Sequence, residues 1–321
     1  MTQPTYTKFK GVQQVYRDLE TQNLLHGVVD FLRYGFLEVG AFQNITTGVS
    51  GVYGGNKSYL RPVSDPRFNN YQVWEGFRGD WVWESGLDYS TQPLVISGVQ
   101  VGGTFYGPAD ATYGHYIDYP RGRVVFNSAK SSTLLVQEEF SHRTVNVVEV
   151  EHPYIRNLMY ESFRVDKSDF DVAGSGAWNY LGDYRVQLPC VGVRVVPVGT
   201  FSPYQIGGGQ YGHISAKFYI FADNSFERDQ ITDIIARQND KTIWIANRAL
   251  MKESGVYPYD INYLGSLVDS PIQYPDIVSD ETWQWRKIQF RNTSKETVDS
   301  NNNWLYRSTV TTTFEIILHE I

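Results

Sequence analysis

The sequence predicts an α+β fold in which β structure dominates: a strand–helix–strand core joined to a separate, small β-sandwich or barrel unit. Three observations predict it. Between residues 93 and 150, short apolar runs follow one another with turn chemistry between them. Residues 213–245 read as strand, capped helix and strand in direct succession. The last stretch alternates strictly, with Val310, Thr312, Phe314, Ile316 and Leu318 on one face and Thr309, Thr311, Thr313 and Glu315 on the other.

The first element is a helix over residues 21–39. Leu24, Leu25, Val28, Val29, Phe31, Leu32, Phe36 and Leu37 recur at three- and four-residue spacing, with Thr21 as the expected N-cap and Gly40 as C-cap. Gly27 and Gly35 oppose it, each at about 1 kcal/mol relative to Ala, unless close packing requires them. Residues 44–70 read as a loop-like arm rich in Gly and Pro. Residues 71–84 then predict one or two strands in which Trp81 and Trp83 share a face.

In the β unit, Ser97-Gly98 is the expected turn between Leu94-Val95-Ile96 and Val99-Gln100-Val101. Pro120-Arg121-Gly122 closes a hairpin between Tyr116-Ile117-Asp118-Tyr119 and Arg123-Val124-Val125-Phe126. Further strands are expected over 134–140 and 144–150. Downstream, Ala216, Phe218 and Ile220 mark a buried strand face, and Asn224 with Glu227 has capping-box spacing. Ile231, Ile234 and Ile235 form the helix stripe, and strands follow at 241–245 and 282–290.

A chain of 321 residues suggests two domains, or one with a large insertion. The boundaries fall at 1–92 (helix, Gly-rich arm and Trp-rich strands), 93–150 (the β unit) and 151–321 (the α+β region). A net charge of −7 and the lack of any basic run argue against a surface built to grip a phosphate backbone. Cys190 is the single cysteine, so a disulfide framework and a thiolate metal cluster are excluded, and a reducing cytoplasm is the expected site of assembly. No secretory h-region opens the sequence and no apolar stretch approaches about 18 residues, so no membrane partner is expected.

No cofactor or metal motif stands up. The six histidines fall outside HxxH, HxxxH and HExxH spacing. Gly207-Gly208-Gly209-Gln210-Tyr211-Gly212 satisfies GxGxxG formally, but it precedes a strand where the dinucleotide fingerprint needs a helix, and it reads as a flexible loop. Glu75 and Glu84, each beside a Trp, are the best pair of carboxylates for glycoside hydrolysis. Trp74, Trp81 and Trp83 alternatively offer a sugar-stacking surface, and packing within a core or interface is the plainer reading. Aromatics make up 15% of the chain, including 23 Tyr, which either fill β cores or serve contacts with partners.

The third region resembles the head–tail joining proteins of tailed bacteriophages, in particular the neck and tail-terminator (tail-completion) group. The resemblance lies in Phe218-Tyr219-Ile220-Phe221-Ala222-Asp223, Phe226-Glu227-Arg228-Asp229-Gln230-Ile231, Trp285-Arg286-Lys287-Ile288-Gln289-Phe290 and Trp304-Leu305-Tyr306-Arg307-Ser308-Thr309-Val310. Residues 115–126 are similar to segments of phage virion proteins. The resemblance implies a non-enzymatic virion subunit, assembled in the host cytoplasm into a ring, commonly a hexamer, with the 93–150 unit inserted in its ring-forming core. It implies portal, neck or tail proteins as neighbours, and DNA passing through the lumen without sequence-specific binding. The interface residues expected on this reading are Trp74, Trp81, Trp83, Tyr204, Tyr211, Arg228, Trp304 and Tyr306. The alternative is a carbohydrate- or receptor-binding tail protein of the virion.

Overall fold

A computed structural model describes residues 20–46, 59–152, 155, 158–159, 187–205, 208–254, 274–298 and 305–318. The chain begins with α1 (Glu20–Glu38) and β1 (Phe42–Ile45). A run of short strands follows: β2 (Arg61–Val63), β3 (Val73–Glu75), β4 (Val99–Val101), β5 (Thr104–Tyr106), β6 (His115–Asp118), β7 (Arg123–Phe126), β8 (Val136–Gln137), β9 (Phe140–Arg143) and β10 (Asn146–Glu149). Then come the long hairpin β11 (Cys190–Gln205) and β12 (Gly208–Ala222), α2 (Ser225–Ala236), β13 (Thr242–Ala246), α3 (Arg248–Glu253) and α4 (Asp276–Ser279). A second long pair, β14 (Gln284–Val298) and β15 (Tyr306–Leu318), ends the described chain. The fold is β-dominant α+β.

The larger sheet has the order β10-β11-β12-β15-β14-β13, antiparallel throughout except for the parallel β10–β11 pair. One face is covered by α1 and α2, whose Leu24, Val28, Phe31, Ile231 and Ile235 pack on Phe218, Ile245, Phe290 and Phe314. The alternation read in the last strand is present: Val310, Thr312, Phe314 and Ile316 are buried, and Thr309, Thr311 and Thr313 are half-buried on the other face. Yet β15 is interior, hydrogen-bonded on both sides, so the final strand presents a face and no free edge.

The strand–helix–strand unit is β12, α2 and β13. Asn224 accepts the Glu227 backbone N–H at 2.8 Å, the forward half of the capping box. The Glu227 carboxyl lies beside Asp223, and burial and that acidic neighbour raise its pKa. Residues 208–212, which read as loop, pair with residues 201–205 in the outer half of the β11–β12 hairpin, beyond a bulge between Val195 and Gly199. The glycines at 208, 209 and 212 lower strand propensity, and the ladder to β11 overrides it.

Thr21 lies inside the first turn of α1, not at its cap, because the helix is already running at Glu20. The C-terminal end is as the sequence implies. Gly40 takes φ +82, and the Ala41 and Gly40 amides donate to Phe36 and Leu37, 2.9 Å each, in a Schellman arrangement. The interior glycines differ in kind. A Cβ on Gly27 would sit 2.4 Å from Ile245 Cγ2, whereas one on Gly35 would meet nothing within 4 Å. Gly27→Ala is therefore expected to destabilise by about 1–3 kcal/mol despite its gain in helix propensity. Gly35→Ala is expected to stabilise by about 1 kcal/mol. Urea unfolding of the two variants checks the contrast.

The smaller lobe wraps three sheets, β2-β3-β7-β6, β5-β4-β8 and β1-β9, around one core that includes Trp74, Trp81, Val99, Phe126, Val136 and Phe140. The Pro120–Gly122 hairpin forms as read, with Gly122 at φ +67. The turn placed at Ser97-Gly98 lies instead at Gly102-Gly103, between Val101 and Thr104, where φ values of +58 and +85 make a two-residue primed turn. Strands β2 and β3 share a sheet with β7, so the unit read from residue 93 takes in residues 61–75 as well, and β10 leaves it to join the larger sheet. No described helix is long and apolar enough to cross a membrane.

Candidate functional site

The sequence-nominated aromatic residues separate into buried and exposed groups. Trp74 and Trp81 are 1% and 0% exposed in the small lobe's own core. Their indole N–H groups donate to Tyr71 O at 3.3 Å and Arg78 O at 2.8 Å, which leaves neither ring facing a partner or a sugar. Both are corrections to the interface assignment, and the reason is that a Trp with a satisfied N–H packs into a core at large gain in buried area. Trp83 is half-buried, tilted against Tyr119 with ring centroids 6.0 Å apart. Arg228 sits over the Tyr306 ring at 5.8 Å, so these two nominated residues do meet. Trp304 and the side chain of Tyr204 lie outside the described residues.

The candidate carboxylates are engaged internally. Glu75 accepts from Arg123 Nε at 2.7 Å, and Arg123 also reaches Asp65 at 3.1 Å. Glu84 pairs with Arg143, which bridges to Asp80 at 3.3 Å and to the Trp81 carbonyl at 3.1 Å. All of these groups are buried, and their pairing is what makes burial of the charge tolerable. Gly208–Gly212 runs as strand within β12, so no helix N-terminus faces those glycines. Cys190 is fully buried, and burial raises its thiol pKa. Among the described residues, no group of three or more His, Cys, Asp or Glu side chains is placed to hold a metal ion.

Two carboxyls of the small lobe shift in opposite directions. Burial opposes ionisation of Asp65, but Arg67 and Arg123 prevail and bring it down to about 2. Its contribution to stability is present above the unfolded value and is lost as pH falls through about 2. Glu138 is the reverse. It is 2% exposed, its Oε2 has no hydrogen-bond partner among the described residues, and burial pushes it well above 4.5. The folded chain holds that proton more tightly than the unfolded one, so stability falls as pH rises from 4.5 through the folded value. Glu138→Gln is expected to raise the thermal midpoint at neutral pH and to flatten this decline. Thermal scans from mildly acidic to neutral pH measure it.

A trough of about 720 Å3 lies on the face of the larger sheet opposite α1 and α2. Strand register builds it from two adjacent rows that cross β12, β15, β14 and β13. The polar row is His213, Glu315, Gln289 and Thr242, paired in that order. The neighbouring row contains Tyr211 opposite Ile317, and Lys287 opposite Trp244. Lys287 Nζ lies 4.7 Å from the Trp244 ring centroid, and Trp285 completes the aromatic lining.

Glu315 anchors the polar row. Burial works against its charge, but the Tyr211 hydroxyl, Arg291 at 3.2 Å and His213 at 3.5 Å hold its pKa below the usual range. Burial and the hydrogen bond to Glu315 raise that of Tyr211. The result is a fixed acceptor beside half-buried aromatic rings. Of these residues only Tyr211 stood among the nominated site residues. The signal that reveals the rest is the alternation Ile243-Trp244-Ile245, which turns Trp244 away from the core side. Comparison of the chain with protein families and with curated proteins finds no match.

Proposed function

We propose that this chain is a structural subunit of a tailed-phage virion, assembling into a homo-oligomeric ring, a hexamer, at the head–tail junction. The observation that carries the reading is the outer half of the β11–β12 hairpin. Residues 200–203 are exposed there, with Phe201 43% accessible on an ordered arm. A paired arm that carries an exposed Phe201, set against a different surface of the next subunit, is the kind of head-to-tail contact that closes a ring.

The segments that resemble neck proteins support it by falling on neighbouring elements, β12, α2, β14 and β15. Phe226, 75% exposed at the start of α2 and close in sequence to the Arg228–Tyr306 pair, adds a second apolar contact. The net charge of −7 suits a lumen through which DNA slides without adhering. Portal, neck or tail proteins are the proposed neighbours, and the virion the proposed location.

Light scattering with size exclusion, and electron microscopy of the full chain, test the reading. The expected result is closed rings and a thermal transition that rises with protein concentration. A monodisperse monomer that stays monomeric alongside portal and tail proteins overturns it.

A further inference from the structure

We propose that the trough across β12, β15, β14 and β13 binds a neutral oligosaccharide. This inference does not depend on the ring reading, because the whole site lies within one chain.

Three features of the trough carry it. First, its two rows differ in chemistry. Trp244 (half-buried, with the flexible Lys287 side chain over its ring), Tyr211 and Ile317 offer apolar surface, and Thr242, Gln289 and Glu315 offer donors and acceptors one step along the same strands. A pyranose has this same division, with C–H faces that stack on rings and equatorial hydroxyls that need hydrogen bonds in the ring plane. Second, the lining charges balance. Arg286 and Lys287 are offset by Glu281 and Glu315. A polyphosphate would meet carboxylates and a cationic peptide would meet Arg and Lys, whereas an uncharged polyhydroxyl chain meets neither penalty. Third, the trough is open and crosses four strands, about 14 Å at the usual interstrand spacing. That is a bed for several linked sugar units and not a closed pocket for one small molecule. The hydrogen bonds from Tyr211 and Arg291 hold Glu315 in place before any ligand arrives, which lowers the ordering cost of binding.

The test uses an array of neutral oligomers of glucose, galactose, mannose and N-acetylglucosamine, with heparin-like and polyuronate chains as anionic counterparts. Titration by intrinsic Trp fluorescence follows on any glycan retained. The expected result is saturable binding of at least one neutral series. It should weaken about tenfold or more in Trp244→Ala, as the stacking area is lost. It should weaken likewise in Gln289→Ala, a change on the half-buried face of β14 opposite the helix-covered core, and stay unchanged in Phe226→Ala, on α2 beyond the sheet. Circular dichroism of each variant separates a lost contact from a lost fold. Absence of neutral glycan binding up to millimolar concentration overturns the proposal. So does binding confined to the anionic chains, or binding that Trp244→Ala and Gln289→Ala leave intact. The ring reading is decided separately, by oligomeric state.

Discussion

Replacing Arg143 with methionine is expected to lower the unfolding free energy by about 3–5 kcal/mol, the range for removing one partner of a buried ion pair. Arg143 is 2% exposed and joins three acceptors: Glu84, Asp80 and the Trp81 carbonyl. Methionine fills much of the volume but satisfies none of them. Glu84 and Asp80, 6% and 8% exposed, would be left with charge they cannot fully hydrate. Arg33 also reaches Asp80 and keeps part of its compensation, so Glu84 bears most of the loss. Denaturant unfolding measures the effect. The double variant Arg143→Met/Glu84→Gln should recover part of it, and a double variant no better than the single would show that the lost packing of the arginine stem, not the stranded charge, dominates.

Trp81→Ala is expected to cost about 3–5 kcal/mol, as for other fully buried large aromatics. The ring stacks on Phe140 with centroids 4.5 Å apart, and its N–H donates to the Arg78 carbonyl at 2.8 Å. Truncation opens a cavity between the small lobe's sheets and removes the indole donor from that carbonyl. Trp81→Phe keeps most of the area and should cost about half as much. Both losses should appear in the melting of the isolated chain and be independent of protein concentration. A variant that melts normally but associates poorly would return Trp81 to the interface role that the sequence suggested.

These residues show where sequence reading succeeds and where it stops. Helix α1, the Pro120–Gly122 hairpin, the Asn224 cap and the alternation of β15 were legible because each is encoded by neighbours a few residues apart. Whether Trp81 faces inward depends on Phe140, nearly sixty positions away, which no local pattern reports. The hairpin turn falls at Gly102-Gly103 and not at Ser97-Gly98 because the pairing of β4 with β5, which turn chemistry alone does not report, decides where the chain reverses. The trough was the least legible feature. It draws single residues from β12, β13, β14 and β15, and only sheet order makes them neighbours.

Helix α1 belongs to both lobes at once. Leu24, Val28 and Phe31 seat it on the larger sheet, Leu37 packs on Val82 and Leu87, and Arg33 reaches Asp80 in the small lobe. Strand β1, directly after it, is laced to β9 by a four-residue ladder. Because α1 packs on both lobes, the two are expected to lose structure together in denaturant as one cooperative unit.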